Sequence, residues 1–182
     1  MTESGRLARI VSALALAAFA ALAWWQNLVF KPWAEAGPGP DSKFGGYDQA
    51  WFAAWLNELD PVEKTQYLLW HSRVFDLSFP LFLAAALIAL TFLALSRHRR
   101  FAGVPRAQRV WMAAALPLAL FVFDLLENRG VAALLSDHVA LDAGAVALVS
   151  ALTGAKWLFG LFAIALPIGV WLSSFNHAFD NA

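Results

Sequence analysis

The chain has 182 residues, 60% of them hydrophobic and 14% charged, with basic and acidic side chains in balance. That balance leaves no basic excess for nucleic acid, and the absence of cysteine excludes disulfides, thiolate chemistry, Cys-bound zinc and iron–sulfur clusters. A soluble domain is nearer half apolar and about a quarter charged, so a mean hydropathy of +0.60, gathered in long blocks, reads as an all-α integral membrane protein.

The expected architecture is a single domain over residues 1–182, a four-helix bundle with spans at about 7–30, 74–96, 110–126 and 150–173. Each is of the order of the ~20 residues that cross a hydrocarbon core. The first block follows Arg6 and Arg9 and resembles either a retained anchor or a secretory signal peptide. Its length and the Trp24–Trp25 pair favour the anchor. The last apolar region begins near Ala143, longer than one untilted crossing needs. Pro80, Pro117 and Pro167 fall inside three spans, where membrane helices tolerate proline. No internal repeat, heptad seam or low-complexity tract stands out.

The loop after the first span is too long for a simple connector. AGPGPD (36–41) reads as a turn. Asp48 is placed to cap a short helix that puts Trp51, Phe52, Trp55 and Leu56 on one face. Asp60, Pro61 and Glu63 form a second helix start, with N-cap, N1 and N3 residues in order. One or two short interfacial helices are therefore expected here, the second running into the next span. The segment from Arg97 to Arg109 carries five arginines and no acid. The positive-inside rule makes it cytoplasmic and puts both termini there too. The Ala-rich composition points to a bacterial inner membrane.

Depth singles out the candidate site. At 1.5 Å per residue, Asp124 stands about 22 Å and Glu127 about 27 Å above Arg109; Asp76 stands about 31 Å from Arg97, and Lys156 about 26 Å from Ser173. All four reach one layer near the outer rim. Asp124 and Glu127 share a helix face, with Asn128 one turn from Asp124; Thr153 and Lys156 share another, and Arg73 and Asp76 a third. A lone charge at this depth is costly, so Lys156 and Arg73 are the expected counter-ions.

Asp76, Asp124, Glu127 and Lys156 are candidates for acid/base chemistry; Arg73, Asn128, Thr153, Trp157 and His71 are candidates for ligand contact. Two functional classes stay open. In one, the cluster lines a pocket for a lipid-like or apolar small molecule, bound or transformed. In the other, it is inter-helix glue in a structural or assembly subunit, as a homo-oligomer or in a membrane complex. Membrane lipids are partners in either case. His71, His98, His138 and His177 show no metal or haem spacing, so no metal and no cofactor is expected.

Three motifs, D-x-x-F-P at Asp76–Pro80, D-x-x-E-N at Asp124–Asn128 and T-x-x-K-W at Thr153–Trp157, together resemble a family of small four-span integral membrane proteins found in bacteria and some plants. The resemblance spans roughly residues 45–173 and leaves out the first span. It implies a helical membrane fold and no particular activity.

Overall fold

The computed structural model describes residues 3–29, 39–136 and 141–179. The described residues form six α-helices in chain order: α1 Glu3–Val29, α2 Gln49–Glu58, α3 Pro61–Gln66, α4 Asp76–Arg97, α5 Arg106–Leu135 and α6 Ala143–Phe179. A 3-10 turn, Pro40–Ser42, precedes α2, and a π-helical stretch, Tyr67–Phe75, joins α3 to α4 without a break. Among the described residues three segments are long and apolar enough to cross a membrane, Leu77–Arg97, Arg106–Leu135 and Ala143–Ser173; the apolar run of α1, Arg9–Trp25, is shorter. The tryptophan at 33, the first residues of the 36–41 turn and the histidine at 138 lie outside the described residues.

Local chemistry sets the short helices. The Asp48 carboxylate accepts from Trp51 N at 2.8 Å and starts α2. At α3 the Asp60 side chain accepts from Val62 N and Glu63 N, while Glu63 accepts from Asp60 N, a reciprocal capping box with Pro61 in the first turn. Three backbone N–H groups of the helix start are thereby satisfied.

α1 packs on α4, α4 on α5, and α6 on both α4 and α5. The α5–α6 contact is a seam of alternating three- and four-residue steps. On α6 the buried positions are Val146, Val149, Thr153, Lys156, Gly160 and Ala163; on α5 they include Ala113, Pro117, Leu120, Glu127, Val131 and Leu134. Such spacing keeps one stripe of each helix facing its partner. The seam is invisible to hydropathy because the lipid-facing residues are equally apolar. Small residues mark it instead, as they do where membrane helices approach closely. At Gly130 an added Cβ would stand 2.6 Å from Val149 Cγ2. Val149 is β-branched and stiff on a helix, so glycine fixes how near α5 and α6 can lie.

α5 runs past the expected end at residue 126. The sequence from Val131 to Leu135 turns apolar again, and Val131, Leu134 and Leu135 are buried against Phe52 and Trp55 of α2, Tyr67, and Val146 and Val149 of α6. The segment expected as an outer loop from residue 129 is thus helical to Leu135, with packing holding the chain in register. Phe52 and Trp55 are under 2% exposed. Trp51 stacks on Trp55 with ring centroids 6.4 Å apart, and Trp55 meets Tyr67 edge-on at 5.8 Å. This aromatic roof lies over the α5–α6 seam. Replacing Trp55 with alanine should cost about 3–5 kcal/mol, read as a lowered thermal midpoint of the purified protein in detergent.

Candidate functional site

Under the roof, α5 and α6 bring their polar residues together. Glu127 and Thr153 are fully buried, and Lys156 nearly so. Lys156 Nζ donates to Glu127 Oε2 at 2.6 Å and stands 3.4 Å from Asp124 Oδ1. The Thr153 hydroxyl lies 3.0 Å from Glu127 Oε1 and 3.2 Å from the Val149 carbonyl oxygen. Asn128 Nδ2 donates to Asp124 Oδ2 at 3.1 Å. One ammonium therefore serves two carboxylates, while a hydroxyl and an amide hold the far oxygens. The arrangement follows from the seam: Glu127 sits on the α5 stripe opposite Thr153 and Lys156 on the α6 stripe, with Asp124 one turn below. A stacked ring pair, Phe123 and Phe159 with centroids 5.1 Å apart, lies on the same two helices, and Leu120 of α5 and Ala163 of α6 cluster with Leu87 of α4.

A strap from the loop before α2 completes the site. The Tyr47 hydroxyl lies 3.4 Å from Thr153 Oγ1, and Tyr47 N donates to Ser150 Oγ at 2.8 Å. Burial pushes the Tyr47 phenol above its ordinary range. Gly46 takes a positive φ of 77°, and a Cβ there would meet Ser150 Oγ at 2.7 Å, so both conformation and space call for glycine. Trp157 Nε1 donates to the Asp41 carbonyl at 3.0 Å, tying the Pro40–Ser42 turn to α6.

Beside the cluster lies a cavity of about 490 Å³. Phe19 and Ala23 of α1 form one wall, Leu161 and Ile164 of α6 the other, and Pro80 and Leu120 lie between them. Asp41, Asp124 and Lys156 supply its polar end. Glu127 is not part of the lining; it stands behind Lys156.

Of the residues singled out by sequence, Asp124, Glu127, Asn128, Thr153 and Lys156 meet in one network, and Trp157 is a partly exposed neighbour whose ring lies 6.0 Å from Lys156 Nζ. Arg73 is exposed, and the cation that meets Glu127 and Asp124 is Lys156. The side chains of His71 and Asp76 lie outside what is described. Tyr47, Asp41 and Ser150 were not foreseen. The two loop residues have no helical period, and Ser150 is the first residue of the last expected span, with no charge to mark it. Among the described residues no group of three His, Asp or Glu side chains could hold a metal ion. No family model, curated protein or solved structure matches the chain.

Two outcomes test this geometry. Lys156→Met leaves Glu127 buried without its cation and should cost about 3–5 kcal/mol, whereas the double variant with Glu127→Gln should recover most of it; a double-mutant cycle of detergent unfolding measures the coupling. The Tyr47 phenol has a folded pKa above the unfolded value of about 10, so its stabilising contribution is intact below that pH and is lost as pH rises above it. At about pH 11, native wild type and Tyr47→Phe should show the same phenolate absorbance, and unfolding should release one more phenolate from the wild type.

Proposed function

We propose that the chain is a four-span protein of a bacterial inner membrane, with both termini cytoplasmic, and that its cavity binds a lipid-like or other apolar small molecule at the outer leaflet. The cavity between α1 and α6 carries this reading: its walls are apolar and its polar groups gather at one end. Its volume falls within the ~300–1,000 Å³ of small-molecule sites. The arginine-rich connection between α4 and α5 supports the orientation. Glu127 stands twenty-one residues from Arg106, about 32 Å along α5, which is the far side of a ~30 Å hydrocarbon core. α1 is the fourth span, with its 27 residues reaching about 40 Å.

The polar end favours one kind of ligand headgroup. Two lining carboxylates, Asp41 and Asp124, stand beside one lysine that already holds Glu127. A group that donates hydrogen bonds, a hydroxyl or an amine, fits there better than a phosphate.

A second reading, an acid/base enzyme acting on a lipid or isoprenoid, draws on one observation: Asp124 reaches the cavity and shares Lys156 with a fully buried Glu127. Asp124 would then carry the proton at the substrate, Lys156 would face developing negative charge, and Glu127 would hold Lys156 in place.

Native mass spectrometry of protein extracted in mild detergent tests the binding reading. The wild type should carry an apolar small molecule, and Ala23→Phe, which places a ring in the cavity, should lose it. Asp124→Asn should keep the fold and weaken retention by about ten- to a hundredfold, the range for a hydrogen bond to a charged group. A wild type that carries no small molecule, or instead a stoichiometric protein subunit, overturns the reading in favour of an assembly role.

A further inference from the structure

The far end of the helices, where α4 turns into α5, holds a second set of features outside the carboxylate cluster. His98 is 5% exposed. Its Nδ1 accepts the Arg100 backbone N–H at 3.2 Å, so Nε2 bears the proton and donates to Ser173 Oγ at 3.1 Å. The Ser173 hydroxyl in turn donates a hydrogen bond to the Val170 carbonyl at 2.8 Å. This buried polar lock pins the connecting loop to α6.

Two apolar grooves flank the lock, and both are walled by His98 and Val170. One, about 460 Å³, runs between α5 and α6 past Leu116, Phe162 and Leu166 and ends at Arg100. The other, about 520 Å³, runs between α4 and α6 past Leu90, Ile164 and Trp171 and ends at Arg97. Arg97 and Arg100 are exposed, and the segment from Arg97 to Arg109 has five arginines and no acid. Each groove therefore presents an acyl-sized apolar track with a guanidinium at its mouth.

We propose that these grooves bind anionic phospholipid, acyl chains along α6 and phosphates on Arg97 and Arg100. Arginine suits the role because its planar fork meets phosphate oxygens in pairs. Both mouths lie on the arginine-bearing side, where the membrane reading puts the anionic leaflet. The assignment rests on that membrane reading and not on the ligand of the outer cavity.

Binding is measured by native mass spectrometry and thermal unfolding in detergent, with phosphatidylglycerol and phosphatidylcholine of identical chains as probes. The wild type should retain phosphatidylglycerol more tightly than phosphatidylcholine. The double variant Arg97→Gln/Arg100→Gln should cut that preference roughly fivefold at each groove, which has one arginine. Gly169→Leu fills the α5–α6 groove from a position where a Cβ meets nothing within 4 Å, and it should weaken retention of both lipids without unfolding the protein. Equal retention of the two lipids by the wild type overturns the proposal. So does a preference that survives in the arginine variant, or a stabilisation reproduced by inorganic phosphate alone. The arginine variant should still carry the outer-cavity molecule, which separates failure here from failure of the binding reading.

Discussion

The contact between Lys156 and Glu127 is the constraint around which the rest is arranged. Both are buried, and at 2.6 Å the pair has little slack. Desolvating two ions costs several kcal/mol each, and only close approach with further hydrogen bonds offsets that. The surroundings supply those conditions. Gly130 lets α5 and α6 close up, Thr153 and Asn128 occupy remaining carboxylate oxygens, and the Phe52–Trp55 roof covers the pair. The pair also sets helix register, since a slip of one residue along the seam would turn Lys156 away from α5.

Much of this was legible in the sequence, for reasons that differ by residue. The helix starts at Asp48 and Asp60 are local chemistry, settled within four residues, and so could be read directly. Asp124, Glu127 and Lys156 stand out because charge is rare in an apolar helix, and counting 1.5 Å per residue put them at one level; Thr153 follows as the residue one turn before Lys156 on the same face. The end of α5 was misplaced because Glu127, Asn128 and Arg129 look like a boundary. Two of these three are in fact buried, and the apolar turn beyond them packs under α2. The seam was missed for a simpler reason: where lipid faces are as apolar as buried faces, hydropathy has no contrast to follow. Tyr47 and Asp41 reach the site through tertiary folding of a loop, which no periodicity records.

The two ends of α6 use polar residues differently. Near Lys156 the charges are buried and matched to one another, and a cavity touches the cluster through Asp124. Near Ser173 a neutral histidine–serine lock is buried, and the charges stay outside on flexible arginines.

The Gly130–Val149 contact has a mechanical corollary. With α5 and α6 clamped by a glycine that admits no Cβ and by an ion pair one turn away, the cavity cannot widen by parting them. α1 meets the assembly chiefly through α4, with Phe19 on Phe79 at 5.3 Å. Of the two walls, α6 is held on both α4 and α5 and α1 chiefly on α4, so the width of the chamber is set by how α1 seats on α4.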